Sequence, residues 1–533
     1  MLLPTWALAT MYLLMLLYMF VGVALASDKF MASIEVICSA TRIAKRKCPV
    51  TGQNIEVRVP VWNWVVANVS LMAVGSSAPE ILLAVVESVL RLGKPAGELG
   101  PSTIVGSAAY NLMMICAVCT VALPTGVVKH VKHLRVFITT AIISMWAYIW
   151  MLVVYLWWTP SEITVAEALL TLLQFALLLV IGWAVDVKVW TRFMRGTVAN
   201  ADSDAIVAVE APALAAASHA MESGMQHVRR SSSLTRDGNT LQPHQPTFNR
   251  ISSINSTASS QKAGSIKEGA AQQPADSDQQ QDSQQQQELW SAWKQQFVDA
   301  IEYDSKAVGD GDDDEPGGVT GLLLHFLSIF WKLLSALAPP EWWGGGWPCF
   351  CGCLLLIIGE VVIIDEVATL LGCVVGLSPL VIGMSLVALG TSLPDTFCSR
   401  TAAVKDDHAD AAVGNITGSN AANVFLGLGL PWLISSAYYA SKGERFCSDS
   451  GALAFSVLVY SSVAVVWLTV LFLRRVYAGG ELGAKSAVAK WGLAALAFGL
   501  WGLFLVLTGL VSDGGLDDSW IAVRAGACVS STS

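Results

Sequence analysis

Charged residues are scarce in this 533-residue chain: 14% of positions, against roughly 25% in soluble domains. Hydrophobic residues make up 54%. That shortage excludes a large soluble enzyme and leaves a polytopic membrane protein. Histidine is rarer still, with seven residues and no metal-binding pair evident. Neither a P-loop nor a nucleophile–base constellation is present, so catalysis, a bound cofactor and a nucleic-acid partner are not expected. The eleven cysteines form no metal-binding frame. Cys349, Cys351 and Cys353 stand at alternate positions, which do not share a helix face, and they read as apolar filler. The net charge of −9 is uninformative, because the acids concentrate in one polar insert. No basic stretch precedes the first apolar run, so residues 8–27 read as part of a retained span rather than a cleaved signal.

Long apolar runs, by contrast, are abundant. Runs near the roughly 20 residues that a span requires lie at about 8–36, 61–90, 101–123, 135–158, 162–186, 347–372, 379–404, 409–437, 451–473 and 487–511. The expected fold class is therefore all-α: a polytopic membrane protein with about ten transmembrane helices in two inverted five-helix repeats. Residues 1–190 form the first membrane half, 191–345 a polar insert, 346–512 the second half and 513–533 a short tail. Arg42, Lys45, Arg46, Lys47 and Arg58 follow the first run; Lys129, Lys132 and Arg135 follow the third. Lys188, Arg192 and Arg195 follow the fifth, and Arg474, Arg475, Lys485 and Lys490 follow the ninth. Alternation places all of these on one side, which the positive-inside rule makes cytoplasmic. Both termini then lie outside and the insert inside.

Within the insert, residues 196–290 are rich in Ala, Ser, Gln and Asn, with a glutamine-rich tract at 279–287. Such a segment buries too little apolar surface to offset chain entropy, so disorder is expected through most of it. Arg229-Arg230-Ser231-Ser232-Ser233 resembles a basic-directed phosphorylation site, which makes a kinase a candidate partner at 229–233. The acids from Asp310 to Glu315 lack EF-hand spacing and read as a solvated loop. Around 319–338, Leu322, Leu323, Phe326, Phe330, Leu333 and Leu334 recur near helical spacing, an interfacial helix leading into the sixth span.

Two segments in opposite halves repeat each other. Gly75-Ser76-Ser77-Ala78-Pro79-Glu80 matches Gly390-Thr391-Ser392-Leu393-Pro394-Asp395. Each is followed by a second element, Gly106-Ser107-Ala108-Ala109-Tyr110-Asn111 and Gly418-Ser419-Asn420-Ala421-Ala422-Asn423. The first segment runs outward and the second inward, the inverted-repeat pattern of secondary transporters. A proline removes the hydrogen bond to the carbonyl four residues earlier, and both broken turns fall on glycine, Gly75 and Gly390. Irregular backbone at membrane depth is tolerated only where it is buried or lines a cavity. An ionised carboxylate near the bilayer centre costs about 2.5–3.5 kcal/mol. Two of them in duplicated settings call for a compensating cation. Small residues alone would serve helix packing, but packing requires no carboxylate. The donors are carboxylate, hydroxyl, amide and carbonyl oxygens, which suit Ca²⁺, Na⁺ or Mg²⁺ rather than softer metals. Glu87, Asp365 and Glu366 lie near span ends and read as interfacial. Glu360 lies deeper, has no duplicated counterpart, and is an accessory candidate.

These segments resemble the α-repeats of the sodium/calcium exchanger family. The first repeat (about 61–123) carries SLMAVGSSAPEILLAVVES and GPSTIVGSAAYNL; the second (about 379–437) carries VALGTSLPDTFCSR and AAVGNITGSNAANVFLGLG. The resemblance extends to YMFVGVALASDKFMASIEVI, WKQQFVDAI and FWKLLSALAPPEWW. It implies that the paired acidic ligands are Glu80 and Asp395. It further implies hydroxyl and backbone ligands at Ser76, Ser77, Thr391 and Ser392, and second-element ligands at Ser107, Asn111, Ser419 and Asn423. Potassium-dependent relatives carry an acid at the position of Asn423, so the amide here points to potassium-independent exchange. The insert is too short and too polar for the Calx-β domains of animal members. The long basic amphipathic segment after the fifth span is reduced to Lys188–Arg195. Plant magnesium/proton exchangers also have a short insert, but lack the glutamate that matches Glu80.

The leading expectation is an antiporter that exchanges Ca²⁺ for Na⁺ by alternating access, with a Mg²⁺/H⁺ or Ca²⁺/H⁺ exchanger as the alternative. Its partners are inorganic cations and the lipid bilayer. The plasma membrane is the first expectation for its location, with a vacuolar or other endomembrane as the alternative. A channel would use similar oxygens, but inverted broken helices speak for a carrier.

Overall fold

The computed structural model describes residues 4–47, 54–61, 73–186, 275–302, 319–448, 451–512 and 514. In hydrocarbon, backbone N–H and C=O groups must be satisfied within their own segment, so apolar runs become helices. The first half contains α1 (Thr5–Cys38), α2 (Ala73–Ser76), α3 (Ala78–Leu90), α4 (Leu99–Ala122), α5 (Leu134–Trp158) and α6 (Val165–Asp186). The insert contributes α7 (Ala275–Ile301) and α8 (Val319–Ser335). The second half contains α9 (Trp347–Val375), α10 (Pro379–Thr391), α11 (Leu393–Lys405), α12 (Asp410–Phe425), α13 (Gly429–Ser441), α14 (Gly451–Ala478) and α15 (Ala487–Ser512). Among the described residues, eight stretches, with α12 and α13 counted together, are long and apolar enough to cross a bilayer. The α10–α11 pair, bent by 45°, supplies a ninth. The second of the ten expected spans is described from Ala73 onward as α2 and α3; residues 62–72 lie outside the described residues.

Contacts between loops establish the inversion. On one face, Lys129 Nζ donates to the Ala403 and Asp406 carbonyls at the end of α11, at 2.7 and 2.6 Å. There Glu481 accepts from Arg475 at 2.6 Å and from the Val131 N–H at 3.0 Å. On the other face, Tyr439 OH donates to the Lys94 carbonyl beyond the end of α3 at 2.9 Å, and the Ile163 N–H bonds to the Phe446 carbonyl at 3.0 Å. The matched helices α3 and α11 therefore end on opposite faces and run antiparallel.

Short antiparallel pairings add to the helical plan: β1 (Thr41–Lys47) with β2 (Asn54–Pro60), and β3 (Val128–Lys129) with β4 (Leu482–Gly483). The basic segment after the first span, read from sequence as a loop, is thus in part a hairpin. Its register sets Lys45 opposite Glu56. The polar insert is also corrected at its end. Helix α7 begins at Ala275 and takes in the glutamine-rich tract, because glutamine is a good helix former. Trp293 Nε1 anchors α7 by donating to the Ala336 carbonyl at 2.9 Å. The 229–233 segment and the 310–315 acids lie outside the described residues.

Lys29 joins the insert to α1. Its Nζ donates to Gln296 Oε1 at 2.9 Å, the Ser335 carbonyl at 2.9 Å and the Ala338 carbonyl at 2.8 Å. Trp331 of α8 packs its ring over Gly22, where an added Cβ would lie 2.6 Å from the indole. Lys29→Met is expected to loosen α7 and α8 from α1 by removing those three bonds. Amide hydrogen exchange across Trp293–Ile301 should accelerate, while α1 itself stays protected.

Candidate cation site

Serine marks both interruptions of the repeated helices. Ser77, between α2 and α3, has φ −92° and ψ 8°; Ser392, between α10 and α11, has φ −85° and ψ 6°. These dihedrals fall in the sparsely populated bridge region, and their near-identity shows that the two halves break in the same way. Proline occupies the first turn of both α3 and α11, where its missing N–H is tolerated. The same first turns carry Glu80 and Asp395. Glycine at the breaks has a second reason beyond backbone freedom. A Cβ at Gly75 would lie 2.4 Å from Ile34 Cδ1, and one at Gly390 would lie 2.3 Å from the Phe20 ring. Helix α1 thus lies directly on both interruptions.

The four helical elements enclose one cluster. Glu80 Oε1 accepts from Ser392 Oγ at 2.9 Å across the pseudo-twofold. Asp395 Oδ2 accepts from Asn111 Nδ2 at 2.8 Å. Asn111 Nδ2 also reaches Ser419 Oγ at 3.4 Å, and Asn423 Nδ2 reaches Ser107 Oγ at 3.3 Å. Those last two bonds are each other's symmetry mates. All ten residues singled out from sequence are buried, with Asp395 at 1% exposure and the other nine at 0%. Nine come together as described or lie beside the breaks with Ser76 Oγ bonded to Asn415 Oδ1 at 3.1 Å. The tenth, Thr391, bonds its Oγ1 back to the Val387 carbonyl within α10 at 3.0 Å and also lies beside the Glu80 carboxylate.

Four buried oxygens of the cluster, Ser77 Oγ, Glu80 Oε2, Asn111 Oδ1 and Asn423 Oδ1, have no hydrogen-bond partner among the described residues. Leaving such an atom unsatisfied costs about 1–3 kcal/mol, more for a charge. The unsatisfied set contains oxygen only, drawn from both halves, and it can accept a hard cation.

Asn415 was not singled out from sequence. Its Nδ2 donates to Ser399 Oγ at 3.0 Å and approaches Asp395 Oδ1 at 3.5 Å. The signal was present, since Asn415, Ser419 and Asn423 recur at four-residue spacing along one face of α12. A π-helical turn at Tyr110–Ile115, which begins one residue before Asn111, had no such signal. Glu87, read as interfacial, is 2% exposed and accepts from the Leu99 and Gly100 N–H groups at 3.1 and 2.6 Å. It stabilises the N-terminus of α4, where a carboxylate complements the helix dipole.

Inverted, broken membrane helices around a buried oxygen cluster define a cation transporter rather than an enzyme. The chain belongs to the sodium/calcium exchanger protein family, whose pattern matches residues 11–184 and 345–510. It is 33% identical to a magnesium/proton exchanger of Arabidopsis halleri subsp. halleri, covering 95% of this chain and 92% of that protein. Magnesium/proton exchanger 2 of Oryza sativa subsp. japonica is similar at 33% identity, with 96% and 95% covered. Sodium/calcium exchanger 3 of Homo sapiens is similar at 24% identity, with 94% and 90% covered. The solved sodium-calcium exchanger NCX_Mj is similar at 15% identity and a TM-score of 0.37, over 92% of this chain and 97% of its own. The protein is accordingly a multi-pass membrane antiporter of inorganic cations.

Proposed function

We propose that this antiporter exchanges Ca²⁺ for Na⁺ at the cluster formed by α2–α3, α4, α10–α11 and α12. The observation that carries this reading is the convergence of Glu80 and Asp395 from inverted halves upon one set of buried, partly unsatisfied oxygens. Two carboxylates neutralise one Ca²⁺, and the hydroxyl and amide oxygens of Ser76, Ser77, Thr391, Ser392, Ser107, Asn111, Ser419 and Asn423 complete a hard-donor set. Na⁺ ions use the same oxygens, so the two cations compete and cannot cross together. Helix α1, lying on Gly75 and Gly390, is the element that must shift for the cluster to face one side or the other. The basic face is cytoplasmic in this reading, and the plasma membrane is the proposed location.

A second reading, Mg²⁺ or Ca²⁺ exchanged for H⁺, is supported by the higher identity to proteins named magnesium/proton exchangers, 33% against 24%. It would place the protein in a vacuolar or other endomembrane. Retention of Glu80, which completes the acidic pair, supports the Ca²⁺ reading. Reconstituted vesicles separate the two. Uptake of ⁴⁵Ca²⁺ driven by an imposed Na⁺ gradient, and absent when a pH gradient is the sole driving force, is the expected result. Uptake driven by the pH gradient alone would instead select proton exchange.

A further inference from the structure

Glu360 is, with Asp365 nearer the end of the same helix, a buried membrane carboxylate that neither the cation cluster nor a helix cap employs among the described residues. It lies at the middle of the 29-residue α9, is 4% exposed, and its Oε2 has no hydrogen-bond partner among the described residues. Its neighbours on the same face, Ile357, Val361 and Ile364, are apolar and fully buried. A carboxylate in such a place is expensive when ionised and signals function by default.

The duplication shows that packing does not require it. Gly22-Val23 followed by Asp28 in α1 parallels Gly359-Glu360 followed by Asp365 in α9. In that sequence register Val23, itself 0% exposed, takes the place of Glu360. An apolar residue satisfies that position in one half, and an acid has been placed there in the other.

Helix α9 packs against α1, α3, α8 and α10. Their titratable and charged groups are Tyr12, Tyr18, Asp28, Lys29, Glu35 and Cys38 on α1, Glu80 and Glu87 on α3, and His325 and Lys332 on α8; α10 has none, and α9 itself carries Asp365, Glu366 and four cysteines. Among the described residues none donates a hydrogen bond to Glu360 Oε2. Lys29 is engaged by Gln296 and two carbonyls, and Glu87 by the first N–H groups of α4. With no fixed cation beside it, a carboxyl of this kind is suited to the smallest cation, which requires no further ligands. Any movement of α1 over the two breaks also moves its packing partner α9, and so changes the water access of Glu360.

We infer that Glu360 is a proton-binding site on α9, separate from the four-helix oxygen cluster, and that transport moves a proton through it. This rests on the antiporter reading and adds a proton to either choice of counter-ion. The test uses full-length protein in liposomes containing a pH-sensitive dye, with an imposed Ca²⁺ gradient. Two variants are compared with the wild type: Glu360→Gln, which keeps the shape, and Glu360→Val, which copies the residue that α1 packs at this position. Coupled proton movement should fall by about tenfold or more in both, while Ca²⁺ affinity in detergent, measured by calorimetry, stays within about twofold. Proton movement unchanged in both variants would overturn the inference. So would loss of Ca²⁺ affinity along with it, or wild-type Ca²⁺ flux unaccompanied by protons. No Ca²⁺ flux in the wild type under Na⁺ or pH gradients would instead contradict the exchanger reading and remove the inference's basis.

Discussion

Glu80→Gln is expected to reduce Ca²⁺ flux about a hundredfold without impairing membrane insertion, and Asp395→Asn should do the same. The amide keeps the size of the side chain and its capacity to accept the Ser392 hydroxyl bond of 2.9 Å. It removes one of two charges that balance a desolvated divalent cation. The energy at stake in a charge at membrane depth, about 2.5–3.5 kcal/mol, converts to a factor of about 70 to 370. Both substitutions keep side-chain size, so packing around Glu80 and Asp395 is preserved. Size-exclusion profiles of both variants should match the wild type while ⁴⁵Ca²⁺ uptake in vesicles is lost. Near-normal uptake in either variant would remove that residue from the site.

Gly390→Ala should be nearly as damaging, for a different reason. Three atoms of the Phe20 ring lie 2.3 Å from where the added Cβ would sit. Phe20 is 2% exposed, so the ring has nowhere to turn and α1 itself must back away. Overpacking of this kind costs about 1–3 kcal/mol, and it falls on the helix whose movement exposes the site. A lower unfolding temperature in detergent and a transport loss of about tenfold or more are expected. Gly75→Ala provides the contrast. Its Cβ would meet Ile34 Cδ1 and Met31 Sδ, the far ends of flexible side chains that can move aside. A milder phenotype at Gly75 than at Gly390 would support this account; equal severity would not.

The parts of this molecule legible in its sequence are those in which lipid leaves little choice. Apolar runs had to become helices, and an acid beside a proline within such a run had to be explained. Glu80 and Asp395 were therefore readable, and so were the spacings from Ser107 to Asn111 and from Ser419 to Asn423. What remained hidden depends on contacts between distant segments. Nothing local announces that Gly390 meets Phe20, or that Lys29 reaches carbonyls more than three hundred residues away. Glu87 read as an interfacial acid because its partners, the Leu99 and Gly100 N–H groups, belong to the next helix. The helix at Ala275–Ile301 was masked by low-complexity composition, although Trp293 and Gln296 within it hold fixed partners. Asn415 was legible in principle, but its role emerges only once α12 is seen to face both Ser76 and Asp395.

Calorimetric titration of Ca²⁺ into the purified protein, the two single variants and the Glu80→Gln/Asp395→Asn double variant probes most directly whether acids from the two halves hold one ion between them. A shared site predicts a single binding event that Na⁺ displaces. Each single substitution should abolish it, and the double variant should be no worse than either. Two independent events, with each substitution removing only its own, would show that the carboxylates belong to separate sites and would contradict the account.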